Sequence, residues 1–193
     1  MVTRNIYGGG AQTNINGLGF EIETDLLGVI DKIDGIDVLK KTCELVHSGK
    51  TFGRVLEKHG FYSQFLTPRQ VHWKSIISKK LLPDKVLIHY LKKTVYIIEV
   101  KYQKVAGSVD EKLQTCDFKK KQYQKLVDSL GYDVEFFYLL NDFFQDEKYA
   151  DVFAYMESVG VEHFFNEIPT DKLGLDEATL AKVAASSIHP SIP

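Results

Sequence analysis

Pro83-Asp84, then fourteen residues, then Glu99-Val100-Lys101 is the part of this 193-residue chain whose residue types could do chemistry. Two carboxylates and one ammonium at that spacing suit phosphodiester hydrolysis. Carboxylate oxygens are hard ligands for Mg²⁺, which keeps several waters and also binds phosphate oxygens. Mg²⁺ lowers the pKa of its water and offsets charge developing on the phosphorus oxygens. An adjacent lysine positions or deprotonates the attacking water and stabilises the pentacovalent transition state. The backbone carbonyl of Val100 can complete the metal shell. The plain alternative is a chance spacing, with Glu99 and Lys101 as surface residues of a strand.

A β-ribbon is the element that would bring the three together. Residues 85–91 (KVLIHYL) and 94–102 (TVYIIEVKY) are rich in β-branched and aromatic side chains. Only Lys92-Lys93 separates them, which predicts a tight antiparallel hairpin without the favoured Asn-Gly turn. Pairing about that turn sets Asp84 opposite roughly Lys101, with Glu99 slightly inside. Glu99 and Lys101 are two apart, so they share a face with Val95 and Ile97, while Tyr96, Ile98, Val100 and Tyr102 share the other. A glutamate inside VYIIEV needs a partner or a metal.

Around the ribbon, the pattern predicts helices and further strands. Residues 5–17 are Gly/Asn-rich and read as an irregular lead-in. Asn14 or Asn16 can cap a helix running to about Ile30, with Glu21, Glu23 and Asp25 early in it. A second helix is expected over 38–47, stopped by Ser48-Gly49, and another over 70–80. After the break at Ala106-Gly107-Ser108, a long helix is expected over 110–130, closed by Gly131. Residues 134–140 (VEFFYLL) read as a strand buried on both faces. A helix over 149–159, a short strand over 161–165 and a C-terminal helix with a tail from Leu175 complete the order. One domain is expected, an α/β/α sandwich with a mixed central sheet.

Hydrophobic residues make up 44% and charged residues 26%, which excludes a disordered chain, and 12 Phe and 10 Tyr suffice for a sizeable core. The net charge of −2 hides an asymmetry: from Arg69 to Lys125 there are 14 Lys+Arg against 5 Asp+Glu, or +9, leaving −11 elsewhere. A basic middle in an acidic chain is either a polyanion-binding face or a solvated lysine surface. Cys43 and Cys116 make no CxxC pair, the N-terminus has no apolar signal region, and no apolar run is long enough to span a bilayer. A soluble cytoplasmic protein is expected. The histidines show no ligand spacing, and there is no P-loop or GxSxG.

The PD…ExK pattern resembles the PD-(D/E)xK nuclease superfamily, and within it the type II restriction endonucleases. LLPD at 81–84, IIEVKYQ at 97–103 and GSVDEKLQTCDFKKKQY at 107–123 carry the likeness, which extends over about residues 14–170. The resemblance implies a restriction-endonuclease-like fold, with Asp84 and Glu99 as metal-binding carboxylates and Lys101 as the catalytic lysine. It also implies an acidic residue from the first helix, here Glu21 in Gly19-Phe20-Glu21, with Glu23 as a weaker candidate. Gln103 continues the Glu99–Lys101 face and is either a phosphate or water contact or an edge-strand amide. Ser108, Asp110, Glu111 and Lys112 begin the long helix, where backbone amides suit a phosphate, and Lys112 is the better DNA contact. Lys119, Lys120 and Lys121 span roughly 200° of helix, so not all can face one phosphate track; Lys119 is taken as the DNA-facing one. His72-Trp73 beside Lys79-Lys80 either lines DNA or anchors the core.

By that resemblance the expected activity is Mg²⁺-dependent, site-specific cutting of double-stranded DNA to 5′-phosphate and 3′-hydroxyl ends, in a restriction-modification setting. A two-fold symmetric site implies a homodimer with one active site per strand. A structure-specific or repair nuclease of junction-resolvase type, or a noncatalytic DNA-binding subunit, are the alternatives.

Overall fold

The computed structural model describes residues 25–104 and 109–187, without the side chains of Val109 and Asp110. Its centre is the expected ribbon. β4 (Lys85–His89) and β5 (Thr94–Lys101) pair antiparallel, with His89 facing Thr94 and Lys85 facing Ile98. The connection is a four-residue loop rather than a two-residue turn, with Lys93 in the left-handed region at φ 52°. This register places Asp84 level with Glu99, two residues inside the expected Lys101. β6 (Asp133–Leu140) lies parallel to β5, pairing Glu99 with Tyr138 and Lys101 with Leu140. Flanked on both sides, β5 is buried from Thr94 to Val100. That is the setting in which a strand reads as a nearly continuous apolar run.

Seven strands form one mixed sheet. β1 (Asp37–Leu39), β2 (Glu44–His47) and β3 (Lys50–Leu56) extend it antiparallel beyond β4, and β7 (Glu162–Phe165) extends it parallel beyond β6. The expected helix over 38–47 is therefore two strands. Ser48 and Gly49 both have positive φ, 50° and 72°, and so make the tight turn that joins β2 to β3.

Helices cover both faces. α1 (Leu26–Ile30) is capped by Asp25, whose carboxylate accepts the Gly28 N–H at 3.2 Å; Asn14 and Asn16, the expected caps, lie outside the described residues. The expected long helix is broken in two: α2 (Val109–Leu113) and α3 (Cys116–Val127). At the break, Thr115 Oγ1 donates back to Lys112 O at 2.7 Å, a local bond that competes with helical continuation. α4 (Ala150–Ser158) lies between β6 and β7, and α5 (Glu177–Ala185) follows β7. The expected helix over 70–80 is absent. Gln70 turns left-handed at φ 60°, and only a 3₁₀ turn, Trp73–Ser75, forms there.

Two apolar cores separate the layers. On the face of Val95 and Ile97, the sheet packs against Phe61 and Phe65, against Tyr123 and Leu126 of α3, and against Met156 of α4. On the face of Tyr96, Ile98 and Val100, it packs against Ile30 of α1 and against Leu180 and Val183 of α5. The architecture is the expected α/β/α arrangement around a mixed sheet. Among the described residues no helix is long and apolar enough to cross a membrane, and both cysteines are free thiols.

Candidate active site

Where β5 leaves the sheet interior, its last turns of the pleat put Glu99 and Lys101 on the α3 side, and Asp84 enters β4 beside them. Lys101 Nζ is the hub. It lies 3.1 Å from Asp84 Oδ2, 2.9 Å from Glu99 Oε2 and 2.9 Å from the Val100 carbonyl oxygen. Asp84 Oδ2 also accepts the Val100 N–H at 3.0 Å, which locks the two strands at the ribbon's mouth. Asp84, Glu99, Val100 and Lys101 thus meet at one point, as the sequence pattern requires.

Lys119, expected to face DNA, reaches inward instead: its Nζ lies 2.9 Å from Glu99 Oε2. One carboxylate oxygen therefore accepts from two ammoniums, and two acids and two lysines balance. The position of Lys119 explains its direction. It stands three residues after Cys116 and four before Tyr123, both fully buried, so it belongs to the buried stripe of α3. That spacing is the signal that could have found it.

Burial governs the electrostatics. The Glu99 side chain is only 6% exposed. Burial is the largest influence on it and pushes its carboxyl up, but Lys101 and Lys119 outweigh that and hold it below the ordinary glutamate value. Burial is likewise the largest influence on Lys101, lowering it, and Glu99 and Asp84 more than reverse the effect, so this ammonium holds its proton above the ordinary lysine value. The walls are aromatic. Tyr138, paired with Glu99 across β5–β6, has its ring 5.9 Å from Lys101 Nζ, and its hydroxyl donates to Lys112 O at 3.1 Å. Burial, seconded by the Glu99 charge, pushes the Tyr123 and Tyr138 hydroxyls far up, so both stay protonated.

The other candidates scatter. Gln103 is 1% exposed, an interior amide, and its main chain is bracketed by Asn141, whose Oδ1 accepts the Gln103 N–H at 3.0 Å and whose Nδ2 donates to Gln103 O at 2.9 Å. Asn141 went unnoticed in the sequence; it fixes the end of β5. Lys112 is exposed at the end of α2. Glu21, Glu23 and Ser108 lie outside the described residues.

Among the described residues no three His, Cys, Asp or Glu side chains gather as a metal cage. The donor set around Lys101 Nζ is nevertheless a hard one: two carboxylates and a backbone carbonyl. Such a partial shell fits Mg²⁺, which retains waters. No curated protein and no solved structure matches the chain. Residues 39–127 match the model of the PD-(D/E)XK nuclease superfamily domain, a stretch that contains Asp84, Glu99, Lys101 and Lys119, so the match and the site together suggest a nuclease.

Proposed function

We propose that the protein is a Mg²⁺-dependent, type II site-specific endonuclease that cuts double-stranded DNA to 5′-phosphate and 3′-hydroxyl ends, working as a cytoplasmic homodimer in restriction-modification. One observation carries the reading: two carboxylate oxygens and a peptide carbonyl converge on a single ammonium at the mouth of the β4–β5 ribbon. Asp84, Glu99 and the Val100 carbonyl would hold the metal, and Glu21 is kept as an additional carboxylate. Bound there, Mg²⁺ would supply Lewis-acid activation and neutralise charge building on the phosphate.

The chain's own residues divide the remaining work. Lys119 and Lys101 keep Glu99 ionised despite its burial, so it remains a ligand at neutral pH. Lys101, with its proton held above the ordinary range, acts as a cationic donor to the phosphate oxygens rather than as a base. Lys112, exposed beside the site, meets the DNA backbone, and Ser108 and Gln103 remain candidates for contacts near the scissile phosphate.

Incubation of the purified protein with long duplex DNA and Mg²⁺ should give discrete fragments with 5′-phosphates. Asp84→Ala should still fold, with reduced stability, and cut nothing. Random degradation, or cutting only at branched junctions, would replace the site-specific reading. Full activity in Asp84→Ala would remove the assignment of this site.

A further inference from the structure

Within the connection between β3 and β4, residues 58–83 contain no aspartate or glutamate, yet carry Lys58, Arg69, Lys74, Lys79 and Lys80 in a chain of net charge −2. Its two ends meet beside the site, because the Lys58 N–H donates to Pro83 O at 2.9 Å, one residue before Asp84. Aromatic rings hold two of its lysines, Lys74 and Lys80, in place. Lys80 Nζ lies 4.3 Å from the Tyr62 ring centre and 5.5 Å from that of Trp73, and Lys74 Nζ lies 5.8 Å from Trp73. Lys80 Nζ is also 3.5 Å from His59 Nδ1. Lys58, Lys74 and Lys79 are exposed and Lys80 is half-buried. Arg69 lies apart, over Phe65.

None of these lysines joins an ion pair among the described residues, whereas the acids flanking the segment, Glu57 and Asp84, are held by Lys85 and Lys101. Like charges without counter-charge repel one another, an arrangement suited to an arriving polyanion. We infer that Lys58, Lys74, Lys79 and Lys80 form a ridge that binds the phosphate backbone of duplex DNA and leads it to Asp84, an inference that rests on the phosphodiester-cutting reading above. Two features favour a duplex over a single strand. Single-strand binders stack bases on open aromatic faces, but Tyr62 is buried and Trp73 is half-buried beneath Lys74 and Lys80. The ring-held ammoniums of Lys74 and Lys80 also lose little freedom on binding, which suits the regular phosphates of a duplex. Such contacts position DNA without reading its sequence.

The test is binding of the full chain to a short fluorescent duplex across a salt series without divalent metal. Each phosphate contact contributes about 0.9 to the slope of log affinity against log salt. Lys74→Gln, Lys79→Gln and Lys80→Gln combined should therefore flatten the slope by about 2–3 and weaken binding evenly across sequences. Arginine at the three positions should restore the slope. Lys32→Gln with Lys41→Gln and Lys182→Gln, remote exposed positions, should leave it unchanged. A wild type that binds and cuts, with an unchanged slope in the ridge variant, overturns the ridge and leaves the enzymatic reading standing. A wild type that neither binds nor cuts overturns both. Tighter, lysine-dependent binding to single strands or RNA overturns the duplex as partner.

Discussion

The β4–β5 ribbon buries a titratable side chain near each end, and the two are accommodated in opposite ways. At the loop end, His89 is fully buried between the Gly174 carbonyl oxygen, 3.1 Å from Nε2, and the Lys92 N–H, which donates to Nδ1 at 3.3 Å. A ring nitrogen that accepts and another that donates require the neutral tautomer. Burial, the largest cause, lowers its pKa to about 4. At the mouth, Glu99 is almost as buried but stays charged, because two ammoniums share one of its oxygens. Expelling the charge is the cheaper solution for an interior. Retaining an ion at such a position, with two lysines recruited to hold it, is what singles out the mouth as the candidate site.

The contrast can be broken at either end. The largest effect is expected from Lys101→Met. Removing one member of a buried ion cluster costs about 3–5 kcal/mol of stability, read by urea unfolding, and loss of a cationic donor should lower DNA cleavage by roughly 10²–10³. Wild-type stability in this variant would mean that the cluster is not a balanced buried set. Next comes acid. The folded His89 value lies below the ordinary 6.5, so its contribution is complete above pH 6.5 and is lost as pH falls towards 4. At about 1.4 kcal/mol per pH unit this amounts to about 3 kcal/mol, and His89→Phe should flatten that window in a pH series of denaturant midpoints. Glu99, also held below its ordinary 4.5, loses its contribution only at lower pH, as pH falls below 4.5. Lys119→Met sharpens the comparison at the mouth. With one ammonium fewer, Glu99 titrates higher, and the acid limb of the pH–rate profile should move up; an unmoved limb would leave Lys119 a bystander. The smallest effect is Gly174→Ala. Gly174 sits at φ 68°, and a Cβ there would lie 2.7 Å from Lys92 Cδ and 3.1 Å from His89 Cδ2. A cost of about 1–2 kcal/mol is expected, with cutting unchanged.

The β4–β5 ribbon could be read from the sequence because its signals are local. TVYIIEVKY is a nearly unbroken β-branched and aromatic run, and Glu99 within it announces its own need for partners. The register was out by two residues only because the loop is four residues long and is closed by Lys93 in the left-handed region, a conformation that lysine does not advertise. The β1–β2 pair was hidden for a similar reason. Its turn uses Cys43 at φ 56°, and β2 slips register between Leu45 and Val46. Ser48-Gly49, a genuine positive-φ signal, fits a helix stop and a hairpin turn equally well. The sequence pattern sets Trp73 and Lys80 on a helix, but the chain there forms only a 3₁₀ turn, with Lys80 Nζ 5.5 Å from the Trp73 ring centre, an irregular course that periodicity does not encode. The grip of Lys119 on Glu99 crosses twenty residues and two elements, so only the buried stripe of α3 hinted at it.

Lys101 Nζ satisfies Asp84, Glu99 and the Val100 carbonyl from within the chain. The centre thus carries its own counter-ion, and closing the ribbon's mouth waits on no solute. If the centre takes a divalent ion as proposed above, assembly of the fold and loading of the centre would be separate events, the ion entering beside Lys101 in a frame already standing. Scarcity of divalent ions would then idle the protein without dismantling it.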